Sequence, residues 1–155
     1  MSYKTLSCAL LLLAATVSMA AAQTVDDAIE LTRTVIQAER QAITAASMEL
    51  TDAESSAFWP LYRDYRAEIA KVNDRLINLI EGYAESYDSM TEVRARAMVN
   101  DFFAYEGKQL KVRQRYVKRF RKILPEKKVA RFVQIENKLE AILRYELAAE
   151  LPLVR

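Results

Sequence analysis

Eight apolar residues, Phe58, Tyr62, Tyr65, Ile69, Val72, Leu76, Leu79 and Tyr83, follow one another at steps of four and three. That spacing places them on one stripe of an α-helix, in the pattern of helices that pack lengthwise against a partner. Such a helix must bury its stripe along a second long helix. Little in the chain would interrupt rods of this kind. There are two glycines and three prolines in 155 residues, and no stretch alternates with the period of two that a strand requires. The sequence therefore predicts an all-α protein.

Four helical segments can be read. The first opens at Thr24, with Asp26 and Asp27 in its first turn, where carboxylates suit the helix dipole. Ala28/Ile29, Val35/Ile36 and Ala42/Ile43 then give an apolar stripe up to about Ser47. The second opens at Leu50-Thr51-Asp52-Ala53-Glu54, where Thr51 and Glu54 form a capping box. Pro60 predicts a kink or short break near Phe58-Trp59, with the long helix restarting at Pro60. Gly82 marks the approach of its end. The third begins behind Thr91, runs through Val99, Phe102, Phe103 and Leu110, and ends near Leu124. The fourth starts at Pro125, with Phe132, Ile135, Leu139, Ile142 and Ala149 along its stripe. Two long rods in so short a chain make an elongated helical hairpin, with too little material to cover both of its faces.

The charge is not spread evenly. Lys108 to Arg131 carries eleven basic residues and one acid, Glu126. The preceding residues from Gln23 carry eight basic and sixteen acidic ones, and the following residues three and four, so segments of −8, +10 and −1 succeed one another. On a helix, Lys108, Lys111, Arg115, Lys118, Arg119 and Lys122 fall on one arc of about 100°. Leu110, Val112, Tyr116, Val117, Phe120, Ile123 and Leu124 fill the opposite side. A solvated face needs no such shortage of acids, so the strip is a candidate surface for an acidic partner.

Residues 1–22 read as a secretory signal peptide. Lys4 supplies the positive start, Leu6 to Val17 an apolar core too short to span a bilayer, and Ala20-Ala21-Ala22 the small residues of a cleavage site. Cleavage after Ala22, or alternatively after Ala20, leaves one all-helical domain over 23–155, exported and without a transmembrane segment. Cys8, the only cysteine, lies in the leader, and there is no histidine. The mature chain thus has no disulfide, none of the usual zinc, nickel or copper ligands, and no Cys or Ser–His nucleophile. No cofactor and no enzymatic activity are expected. Nucleic acid would suit the basic strip electrostatically, but export separates the protein from it.

Leu50-Thr51-Asp52-Ala53-Glu54 resembles the LTxxQ motif of the Spy/CpxP-type periplasmic proteins, which carry it at two helix starts. The second copy here is Leu124-Pro125-Glu126-Lys127-Lys128, and the two sites share a layout: Phe58 follows Leu50 by eight residues, as Phe132 follows Leu124. The first copy has Glu54 in place of glutamine; the second lacks the threonine and ends on lysine. The resemblance covers most of residues 48 to 143. It implies a cradle-like antiparallel homodimer of helical hairpins in the periplasm, whose basic and apolar face holds unfolded clients without ATP or docks on the sensor domain of an envelope-stress kinase. By this resemblance the client or partner surface is Lys108, Lys111, Val112, Arg115, Tyr116, Lys118, Arg119 and Lys122, bordered also by Tyr105. Other branches of the broader family sense metals through histidines and methionines. The absence of histidine and the scatter of Met48, Met90 and Met98 argue against that role here. A dedicated adaptor or structural protein binding an acidic envelope partner is the second reading.

Two charges fall on the apolar arc of the third helix. Glu106 and Arg113 could be read as a catalytic pair, but charges in helical hairpins more often pair across the seam. If the third and fourth helices fold back at Leu124-Pro125, Arg113 comes level with Glu136, and the two are expected to form a buried ion pair.

Overall fold

Helix ends in this chain sit where a side chain or a carbonyl can satisfy the unpaired groups of a terminus. The structure, a computed structural model, describes residues 38–154. It shows helix α1 over 38–48, α2 over Asp52–Ser86, a 3-10 turn over Tyr87–Ser89, α3 over Glu92–Phe120 and α4 over Glu126–Glu150. Among the described residues there is no strand. The chain is all-α, as its periodicity requires. The signal peptide and the expected first-helix start at Thr24 lie outside the described residues.

Thr51 caps α2 as its sequence predicts. Its hydroxyl accepts from the Glu54 N–H at 3.3 Å and its N–H donates to the Glu54 carboxylate at 2.8 Å. Thr91 caps α3 in the same way, accepting from the Arg94 N–H at 3.2 Å. Pro60 does not break α2, which runs through it without interruption. The Ser56 carbonyl, deprived of its usual donor, belongs to an exposed residue, so water can supply the missing bond. Further on, α3 ends at Phe120 rather than near Leu124, because residues 121–124 leave the helix as a turn. Pro125 then stands just before α4 as its cap, and its carbonyl accepts from the N–H groups of Lys128 and Val129.

Residues from Ser47 onward form a compact unit. Within it α2 and α3 run antiparallel, with Phe58 beside Phe120 and Tyr65 beside Tyr116. α4 returns antiparallel to α3 and parallel to α2. The core is aromatic at one end: Phe58, Phe120 and Phe132 are almost wholly buried, and Phe120 and Phe132 lie 4.4 Å apart. Tyr62 and Tyr65 continue it along the α2 stripe, with Tyr116 of α3 against Tyr65, followed by Ile69 and Val72. Burying each such side chain is worth roughly 1.5–3 kcal/mol, which a fold without disulfides needs.

The core thins toward the other end. Ile142 and Leu147 of α4, and Val99, Phe102, Phe103 and Leu110 of α3, are exposed. Leu110 was expected to pack, and so was Ile142. Both stand free because α4 lies away from α3 and is joined to it chiefly by long polar side chains.

Candidate functional site

The two copies of the motif meet. Glu54 and Lys128, the fifth residues of the two helix starts, form an ion pair, and the Lys128 ammonium also donates to the Glu49 carbonyl at 2.8 Å. Glu49 has φ 50°, in the left-handed region that a residue other than glycine enters at a cost of about 1–3 kcal/mol. Arg131 holds its carboxylate at 2.7 Å. The start of α4 thus fastens the α1–α2 turn at two points. Behind this lock Phe58 and Phe132 meet edge to face at 5.9 Å, with Leu124 buried and Leu50 packed against the core. Glu126, exposed, bonds instead to Arg121 at 2.9 Å.

The cationic strip divides. All six of its basic residues are exposed, five on α3 and Lys122 in the turn that follows it. Arg115 pairs with Glu68 of α2 and Arg119 with Asp64 at 3.4 Å. Both guanidiniums also lie over the Tyr116 ring, at 5.5 and 4.8 Å from its centre. The Arg115 hydrogen bond holds the Glu68 carboxyl below its ordinary value. Lys108, Lys111, Lys118 and Lys122 pair with no carboxylate among the described residues. Val112 and Tyr116, expected on the client surface, are buried instead. They are 4% and 5% exposed and belong to the core, Tyr116 against Tyr65 of α2, because they point to the packing side of α3. Tyr105 is buried as well, and burial, with a smaller contribution from Glu140, pushes its hydroxyl up to about 12.

The ion pair expected between Arg113 and Glu136 is not formed. Glu136 accepts from the Tyr65 hydroxyl at 3.1 Å and pairs with Arg66 at 3.4 Å. Arg113 bonds the next residue along, Asn137. The turn at 121–124 and the cap at Pro125 place α4 one position out of the expected register. α2 also supplies a cation that a two-helix argument leaves out. Glu106 does not face Arg113 either; it pairs with Arg144 at 2.7 Å. Arg144 also reaches Glu140 and Gln109, and Gln109 donates to the Tyr105 hydroxyl at 3.0 Å, so one polar latch joins α3 to α4.

On either side of this latch lies a concave surface. Toward the aromatic core, a cleft of about 590 Å³ between α3 and α4 is lined by Arg113, Lys118, Arg121, Val117, Phe132 and Glu136. Toward the far end, a groove of about 480 Å³ is walled only by apolar side chains, among them Leu76, Leu79, Met98, Val99, Phe102 and Phe103. It continues past the latch beneath Ala148 and Leu151. Its walls come from the later part of α2, the earlier part of α3 and the segment after α4. The apolar stripes of both long helices signal its existence in the sequence. What the sequence does not show is that, among the described residues, only the segment after α4 lies over them there. No helix among the described residues is long and apolar enough to cross a membrane.

No protein-family model, curated protein or solved structure matches the chain.

Proposed function

We propose that this protein is an exported, ATP-independent holding protein of the periplasm, of Spy/CpxP type, which keeps unfolded or aggregation-prone clients from associating. The observation that carries this reading is the apolar groove: about 480 Å³, open, and lined by no charged residue, with the Tyr83 hydroxyl as its one polar side-chain group. Soluble proteins rarely leave so continuous an apolar surface unless something binds there. Lys108, Lys111, Lys118 and Lys122, without carboxylate partners among the described residues, offer a separate cationic strip, suited to the acidic stretches of a client. The packing of the two motif copies against each other supports the family assignment, since it makes their common layout a structural unit.

The test is aggregation suppression without nucleotide. At stoichiometric ratio the purified protein should keep several unrelated denatured substrates in solution. If it suppresses none of them yet retains one acidic envelope protein or sensor-kinase domain, the dedicated adaptor is the correct reading, which the unpaired lysines would equally serve. The same proposal includes a homodimer, supported by the uncovered apolar residues Val93, Phe103 and Leu110. Sedimentation at micromolar concentration should find it, and only monomer there would refute it. Export is tested by N-terminal sequencing of the secreted product, which should begin at Gln23.

A further inference from the structure

The groove already holds a peptide, supplied by the chain itself. After α4 ends, Leu151 turns extended (φ −90°, ψ 116°), and residues 152–154 run on without helix. The Tyr83 hydroxyl donates to the Pro152 carbonyl at 2.8 Å, and the Tyr87 hydroxyl to the Leu153 carbonyl at 3.3 Å. The two rings brace each other edge to face at 5.6 Å, which fixes where their hydroxyls point. Leu151 and Val154 add their side chains to the groove wall, while Leu153 between them stays 89% exposed. The segment is thus held by its main chain at two carbonyls and by the apolar side chains at its two ends, Leu151 and Val154. Those are the two contacts by which an extended peptide of any apolar sequence can be recognised.

The seating is shallow. Leu151 and Val154 remain 36% and 56% exposed, and the groove beyond them stays open along Leu79, Met98 and Phe102. A longer apolar segment would cover more wall than the four resident residues do, and a charged one would lose its hydration against a surface that offers it no partner. Being tethered, the resident segment competes at an effective concentration in the millimolar range, so that weak contacts suffice to occupy the site.

We propose that the groove binds extended, uncharged apolar polypeptide segments, with Tyr83 and Tyr87 reading main-chain carbonyls, and that residues 151–154 are a resident competitor which such a segment displaces. The inference rests on the holding function above and names both its substrate class and its restraint. A site open only part of the time binds with an affinity reduced by that fraction. Short or weakly apolar segments are therefore refused, and long unfolded ones accepted.

The probe is a fluorescein-labelled peptide containing Leu-Pro-Leu-Val, with a second in which both leucines are aspartate, read by fluorescence anisotropy. Two variants release the segment: a chain ending at Glu150, and the full chain carrying Leu151→Asp and Val154→Asp. Each should bind the apolar peptide about tenfold more tightly than the unaltered protein. Neither should bind the aspartate peptide. Adding Tyr83→Phe and Tyr87→Phe to the released chain should weaken binding several-fold. Unchanged affinity in both released chains overturns the proposal, as does release that yields self-association without peptide binding, which would make a second copy the occupant. Aggregation suppression by the unaltered protein, with no peptide bound by any chain, would sink this inference and leave the holding function standing. Peptide binding without suppression would do the reverse.

Discussion

Glu54 and Lys128 pair with each other from equivalent positions in two copies of one motif, 74 residues apart in sequence. Each is the fifth residue of its copy, and each begins a helix whose eighth residue after the leading leucine is a core phenylalanine. The pairing turns a repeat in the sequence into a contact between the helix starts.

This contact sets an acid sensitivity. Lys128, and after it the Thr51 N–H, hold the Glu54 carboxyl below its ordinary value of 4.5, and Arg131 does the same for Glu49. A carboxyl whose pKa is depressed by folding stabilises the fold above its unfolded value, and that contribution is lost as pH falls through the folded value. The urea midpoint should therefore drop as pH is lowered from about 5 toward 3. Glu54→Gln should flatten that dependence. Lys128→Gln alone should lower the midpoint at pH 7, and Glu54→Gln with Lys128→Gln should recover part of the loss. A double variant as unstable as the sum of the singles would show that the pair does not interact.

Glu136 is a buried charge that a single change can strand. It is 5% exposed, its Oε1 has no hydrogen-bond partner among the described residues, and its Oε2 depends on Tyr65 and Arg66. Burial, and then the Glu136 charge, push the Tyr65 hydroxyl well above its ordinary value, so it remains a donor at any ordinary pH. Arg66→Met should cost about 2–3 kcal/mol in urea unfolding, because a buried carboxylate loses its cation. Arg113→Met, which removes only a partly exposed bond to Asn137, should cost less than about 1 kcal/mol. Equal losses would restore Arg113 as the partner of Glu136.

Local signals in the sequence were readable because each concerns a few neighbouring residues. Thr51 and Thr91 cap as their types require, and the α2 stripe from Phe58 to Val72 is buried as its period demands. The errors lie where a third element decides. Arg113 and Glu136 were matched by counting from one turn, and the extra residues at 121–124 shifted the register by one while α2 brought in Arg66. Val112 and Tyr116 were expected on the exposed border of the cationic strip, yet they are buried in the core, Tyr116 beneath Arg115 and Arg119. For Phe103 and Leu110, spacing identifies the apolar face of α3 but cannot say whether α4 comes close enough to cover it.

Gly107 is a site where the fold can gain stability. It lies in the middle of α3, and a Cβ there would meet nothing within 4 Å. Gly107→Ala should therefore stabilise by about 0.5–1 kcal/mol, the difference in helix propensity, and raise Tm by a few degrees. Gly82→Ala should gain less, since its Cβ would come within 2.6 Å of the Arg94 guanidinium and displace it. Thermal unfolding of the two variants side by side checks the order. A Gly107→Ala protein that melts lower than the unaltered one would mean the site is not open.

Phe120 and Phe103 separate the fold from the proposed binding. Phe120 is fully buried, 4.4 Å from Phe132 and 5.3 Å from Phe58, so Phe120→Ala leaves a cavity that three helices cannot close together. It should cost about 3–5 kcal/mol. Phe103 is 67% exposed and touches Phe102 at 5.8 Å, so Phe103→Ala should change stability by no more than about 0.5 kcal/mol. Yet Phe103 walls the apolar groove, and its loss removes a large contact surface from any client lying there. At a temperature where both chains are folded, Phe103→Ala should suppress client aggregation several-fold less well than the unaltered protein. If Phe103→Ala holds clients as well as the unaltered protein, binding lies on the lysine flank of α3 and the groove is not where clients sit.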